Sequence, residues 1–193
     1  DVCSSDLISH RNDQLRGYEV ATRTQNLPFR VPRLGVNAEL TQYAPEDLAQ
    51  QLAWMDAAQI TWIRQIFPWD SIEPETGLYD WEAWDAIVEA VDTYPNLEIV
   101  AVLVNTPDWA RRSNATFSGP PRNIDDFAAF AAAFAQRYAP FIDHYQIWDE
   151  PNLASGWGNL DPRPADYAAM LQQTYTAIHN ADSTASVMAA ALA

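Results

Sequence analysis

The feature that most constrains this chain is an alternation that sets in near Val31, where short apolar runs are each followed by a longer segment of helical period. The first run is Leu34-Gly35-Val36-Asn37. A helix is predicted from Pro45, with Leu48, Leu52 and Met55 on one face at i, i+4 and i+7. Pro45 suits a first helical position, and Glu46 and Asp47 suit the positive end of the helix dipole. The second run is Ile60 to Ile66, after which Asp80 is placed to cap a helix bearing Trp81, Trp84, Val88 and Val91. The third run, Leu97 to Val104, is continuously apolar apart from Glu98, as a parallel strand covered on both faces should be. Asn123 then caps a helix with Phe127, Phe130 and Phe134 along one stripe. The fourth run spans Ile142 to Trp148, and a loop containing Gly156, Gly158, Pro162 and Pro164 leads to a helix carrying Tyr167, Leu171, Thr174 and Ile178. The fifth run is Ser186 to Leu192.

Strands that alternate with helices at this spacing build a parallel sheet with the helices outside it, an α/β fold. Periodicity alone leaves two architectures open, a doubly wound open sheet and an eight-fold barrel. Neither G-x-G-x-x-G nor G-x-x-x-x-G-K-[ST] is present, which removes the usual support for a nucleotide-binding sheet. Residues 1–30 lack this periodicity and read as a leader or linker ahead of a domain at 31–193.

Charge narrows the partners. Asp and Glu number 26 against 11 Lys and Arg, a net charge of -15. Phosphate contacts need clustered cations, so nucleic acid is not expected as a partner, and an anionic membrane is disfavoured for the same reason. No apolar run approaches the ~20 residues that span a bilayer. Cys3 is the only cysteine and has no partner within the chain for a disulfide. His10, His144 and His179 are scattered without metal-ligand spacing, so neither a metal nor another cofactor is expected. Eight tryptophans is a high number, and a tryptophan face can stack on a sugar ring as well as fill a core.

In a barrel the chemistry collects at the C-terminal ends of the strands. Those ends carry Asn37, Arg64 with Trp69 and Asp70, then Asn105 with Trp109, then Asp149-Glu150. Three segments there resemble motifs of the large clan of retaining β-glycoside hydrolases, which includes the family 5 cellulases and mannanases and the family 39 β-xylosidases. Trp148-Asp149-Glu150-Pro151-Asn152 resembles the clan's W-N-E-P-N at the end of strand four. Ile72-Glu73-Pro74-Glu75-Thr76-Gly77-Leu78-Tyr79-Asp80-Trp81 resembles its I-E-P-x-x-G-x-Y-D-W after strand two, and Thr106-Pro107-Asp108-Trp109-Ala110 its T-P-x-W-A after strand three.

The resemblance implies a (β/α)8 barrel of which strands one to five are present, and hydrolysis of a β-linked glycan or glycoside with retention. Glu150 matches the general acid/base. Arg64 resembles the strand-two arginine that orients the nucleophile, though a structural salt bridge is the alternative. Asn37 joins the strand-end polar set. Asn105 either contacts substrate hydroxyls or caps a turn, and Trp69, Trp109 and Trp157 either stack on sugars or pack in the core. The clan has Asn where this chain has Asp149. An ionised aspartate accepts hydrogen bonds but donates none, and it places a like charge beside Glu150, which favours the protonated form an acid catalyst needs. The same exchange also fits altered specificity or a carbohydrate-binding barrel that has lost catalysis. An unrelated α/β interaction module is the third alternative.

A complete (β/α)8 barrel takes about 250 residues, and the clan's nucleophile lies at the end of strand seven. The expectation is therefore the N-terminal part of a longer enzyme, inactive by itself, with its nucleophile downstream. The substrate class points to an extracellular or periplasmic location.

Overall fold

The computed structural model describes residues 34–193. The leader or linker read at residues 1–30, with Cys3 and His10, lies outside the described residues. Five strands, β1 (Leu34–Asn37), β2 (Ile60–Pro68), β3 (Glu98–Val104), β4 (His144–Ile147) and β5 (Ser186–Ala189), form one sheet in the order β1-β2-β3-β4-β5. Every neighbouring pair is parallel. Four longer helices connect them: α1 (Pro45–Ala57), α2 (Glu82–Asp92), α3 (Ile124–Tyr138) and α4 (Pro164–Ala181).

This strand order decides between the two architectures that periodicity left open. A doubly wound sheet has a point where the strand order reverses. Here each strand lies beside its predecessor throughout, the arrangement of a barrel wall. The fold is that of the first five strands of a (β/α)8 barrel.

The helices form where period and caps place them. Pro45 sits in the first turn of α1, and Leu48 and Leu52 are buried. The Asn123 side chain accepts from the Asp125 N–H at 3.2 Å and so satisfies one free donor at the start of α3. Asp80 acts one residue earlier than a true cap. Trp81 is the N-cap of α2, and Asp80 accepts from the Glu82 N–H at 3.3 Å. The Trp81 ring stacks on Tyr79 at 5.0 Å and packs against Phe134 and Tyr138 of α3.

The core lies between the sheet and the helices. Ile63, Gln65 and Phe67 are buried along β2 at the alternating period of a strand. Phe67 meets Phe134 at 4.9 Å and Trp84 at 5.3 Å, which puts this set on the helix side. Burying three phenylalanines of α3 is worth on the order of 2 kcal/mol each. Residues between them, such as Arg64, therefore face the other side, the barrel interior.

The fourth run is shorter than its apolar length, because Ile142 closes the end of α3 through its N–H to the Tyr138 carbonyl, and Trp148 leaves extended geometry with φ +70°. That departure at the end of β4 shapes the site.

Candidate active site

Arg64 stands in register with Asn37 on β1 and Val100 on β3. Its Nε–H donates to Gln146 Oε1 at 3.0 Å, Nη2 to Asp149 Oδ1 at 2.6 Å, and Nη1 to Asn37 Oδ1 at 3.4 Å. Gln146 is buried, and its amide donates to the Trp148 carbonyl at 2.8 Å and to Asp149 Oδ1 at 3.3 Å. One polar lattice thus ties the ends of β1, β2 and β4. The like charge that Asp149 brings to Glu150 is met at once by the Arg64 guanidinium, since the two form a half-buried ion pair. Removing one member of such a pair strands the other charge, a larger cost than the pair's net contribution.

The turn that follows β4 is unusual. Trp148 and Glu150 have φ of +70° and +45°, a left-handed region that side chains other than glycine enter at about 1–3 kcal/mol each. Surrounding bonds hold it there. The Trp148 N–H donates to the Leu103 carbonyl and its indole to the Gly156 carbonyl, both at 2.9 Å. The Glu150 N–H donates to the Ala191 carbonyl at 3.1 Å. A Cβ on Gly156 would lie 2.2 Å from the Glu150 carbonyl oxygen, so only glycine permits that approach. The result is an exposed Glu150 on a fixed turn.

Glu150 and Asp149 line a cleft of about 240 Å³ together with Asn105, Ser118, Ile66 and Val104. Asn105, at the end of β3, is also left-handed, with φ +67°. Its amide donates to Asp70 Oδ1 at 3.2 Å. That bond directs the Asn105 carbonyl oxygen away from Asp70 as a remaining acceptor. Burial pushes the Asp70 carboxyl above the usual carboxylate range, against the opposing bond from Asn105. The loops after β3 and β4 are stitched together, through Ser118 Oγ to the Ser155 carbonyl at 2.7 Å and the Thr116 N–H to the Gly158 carbonyl at 3.1 Å. A larger depression, about 560 Å³, lies in the helix layer around Ala128, Gln173 and Thr176 and is lined by small and amide side chains.

Arg64, Asn37, Asp149, Glu150 and Asn105 are brought to one end of the sheet. The tryptophans are not. Trp69 is fully buried, packed against Phe130 and Phe127 at 5.6 Å each, and its indole donates to Glu73 Oε2 at 2.7 Å. Trp157 is 2 % exposed and packs on Trp148 and Tyr167. Both faces of these rings are covered by protein, so of the two roles left open for Trp69 and Trp157, stacking on sugars gives way to core packing. Trp109 is half-buried, edge-on to Trp69, with its indole bonded to the Glu73 carbonyl. The large ring left open on these loops is Phe117, 54 % exposed and next to the cleft residue Ser118.

Gln146, Ser118, Gly156 and Phe117 were not legible as site residues. Only Gln146 leaves a trace, as an amide between Tyr145 and Ile147 in the fourth run. Among the described residues, no group of three or more His, Cys, Asp or Glu side chains is placed to hold a metal ion, and no helix is long and apolar enough to cross a membrane.

Comparison with known proteins agrees with this geometry. Residues 39–112 match the family model of glycoside hydrolase family 42, described as Beta-galactosidase. That stretch holds the second and third motifs and ends before Glu150. No curated protein sequence matches significantly. Solved structures that resemble the chain include a family 39 glycoside hydrolase from the gut symbiont Bacteroides cellulosilyticus WH2, at TM-score 0.63 and 21 % identity over 81 % of this chain and 31 % of the other. An exo-β-1,4-mannosidase from Opitutaceae bacterium strain TAV5 aligns at TM-score 0.66 and 20 % identity over 81 % of this chain and 31 % of its own. Endo-glycoceramidase II from Rhodococcus sp. aligns at 0.62 and 18 % over 83 % of this chain and 50 % of its own. The chain thus spans a third to a half of the length of these structures. It resembles the N-terminal part of a glycosidase barrel, in fold and in the motifs at its strand ends.

Proposed function

We propose that this chain forms part of a glycoside hydrolase that cleaves β-linked glycans or glycosides with retention, with Glu150 as general acid and then general base. The observation that carries the reading is the exposed carboxylate of Glu150 on a left-handed turn at the end of β4, beside a cleft. In this reading Glu150 protonates the departing glycosidic oxygen, and a second carboxylate about 5–5.5 Å away attacks the anomeric carbon. Glu150 then deprotonates the water that releases the sugar. In this reading the attacking carboxylate comes from a later strand end of the barrel.

Arg64 and Asn37 hold the polar end of the sheet, and Asp149 and the free oxygen of Asn105 accept from sugar hydroxyls. Phe117 supplies the apolar face for a sugar ring that the buried Trp69 and Trp157 do not. Trp109 contributes through loop packing. The partner is an oligosaccharide or polysaccharide, and such a substrate places the protein outside the cell or in a periplasm.

The test is hydrolysis of aryl β-glycosides by the full-length protein and its Glu150→Gln variant, with product stereochemistry followed by NMR. Loss of turnover in the variant and a retained anomeric configuration support the reading. One observation favours a second reading. Asp149 engages Arg64 directly, which occupies the arginine expected to orient a nucleophile. A non-catalytic carbohydrate-binding barrel follows if full-length protein and variant both bind oligosaccharide and neither cleaves it.

A further inference from the structure

Gln146 is the least expected member of the site. It is a buried amide on β4 whose neighbours Tyr145 and Ile147 are buried and apolar. A buried amide is favourable only when its donors and acceptor are used. All three of its bonds run to the machinery around Glu150. Its oxygen accepts from Arg64, one N–H reaches the carbonyl of left-handed Trp148, and its amide also reaches Asp149 Oδ1. The same Asp149 oxygen accepts from Arg64. Arg64, Gln146 and Asp149 therefore close a triangle in which one cation is matched by one carboxylate and one amide.

We propose that Gln146 is a positioning residue, and that Gln146 and Asp149 act as one amide–carboxylate unit that holds Arg64 and sets the turn presenting Glu150. The triangle demands one negative charge and one amide donor between the two positions. Either position satisfies Arg64, because its Nε faces residue 146 and its Nη2 faces residue 149. The departure of Asp149 from the expected asparagine is then half of a matched arrangement whose other half is Gln146. This inference rests on the glycosidase reading for its kinetic consequence but not for its geometric one.

The test is a double-mutant cycle in the full-length protein with Gln146→Glu, Asp149→Asn and the combined exchange. Gln146→Glu sets two carboxylates face to face and removes the donor to Trp148. Asp149→Asn leaves Arg64 facing two amides. Each single variant is expected to lower kcat by about 10- to 100-fold, within the range of coupled neighbours, with KM little changed. The combined exchange restores one carboxylate and one amide, with the donor now at position 149, and recovers about 10-fold or more over Gln146→Glu. A purely structural role predicts that the losses add and that kcat falls only as the folded fraction falls. Additive losses, or wild-type kcat in Gln146→Glu, overturn the inference. If the parent protein cleaves nothing, the glycosidase reading fails by itself. The cycle is then read from the Trp148 indole N–H resonance, which Gln146→Glu should displace by removing the donor to the Trp148 carbonyl. An undisplaced resonance overturns the inference.

Discussion

Two strand ends of this barrel carry the same dipeptide and use it in opposite ways. Glu73-Pro74 follows β2, and Glu150-Pro151 follows β4. The Glu73 carboxylate is 4 % exposed and spent, with one oxygen taken by the Trp69 indole and the other by the Gly77 N–H, both at 2.7 Å. Its own carbonyl takes the Trp109 indole at 3.0 Å. Gly77 closes that loop with φ +76°. The Glu150 side chain is exposed, on a turn whose Trp148 and Glu150 N–H groups are bonded to the Leu103 and Ala191 carbonyls. A carboxylate whose acceptors are filled by buried donors is a staple. A carboxylate held in place by its backbone alone stays open to solvent. The difference is one of hydrogen-bond accounting, and it separates a glutamate spent within the fold from one left open to solvent where the residue names do not.

The comparison breaks most sharply on Glu150. Glu150→Gln in the full-length protein should reduce turnover of natural glycosides by about 10²- to 10⁴-fold, the usual worth of general acid/base catalysis, at unchanged melting temperature. Unchanged turnover would make Glu150 as inert chemically as Glu73. The reciprocal change is Glu73→Ala, which leaves the Trp69 indole and the Gly77 N–H without acceptors. It should destabilise the protein by about 3 kcal/mol, measured by denaturant unfolding, without altering turnover per folded molecule. A stable variant with lost activity would move Glu73 into the chemistry.

Smaller effects sharpen the same contrast between spent and available groups. Phe117→Ala should raise KM for an oligosaccharide by about 3- to 10-fold and leave the melting temperature in place, the reverse of a core aromatic. An unchanged KM would remove Phe117 from the binding surface. Asp70 tests the electrostatics of the β2 loop. Its carboxyl is held above its unfolded value by burial, so the folded state binds the proton more tightly than the unfolded one. The stability this contributes is present below the ordinary carboxylate range and is lost as pH rises through the folded value. Asp70→Asn should therefore raise the melting temperature slightly at neutral pH. The gain should fade as the pH falls into the ordinary carboxylate range, as read from thermal melts across pH. A gain that persists in acid would remove burial as its cause.

Much of the fold was legible because its causes are local. The five strands and four helices follow from short apolar runs against segments of period 3.6, and the cap at Asn123 is a bond between neighbours. The ends of the runs then placed Glu150, Asp149, Arg64 and Asn105 together, where the structure brings them. The tryptophans were not legible in the same way. Trp69 and Trp157 stand at strand-end positions that suit a sugar platform, yet the phenylalanines of α3 and the ring of Tyr167 cover them.

The chain's own pattern thus determined a parallel βα order, the residues at its functional end and the departure at Asp149, since each depends on spacing within one segment. The motif resemblance already implied a barrel; the tertiary structure showed the strand order that periodicity left open, and it alone gave Asp149 its partner. Arg64 lies 85 residues away in the chain. Whether a carboxylate is spent or free is set by what folding packs against it, and that is a property of the whole molecule rather than of any stretch of it.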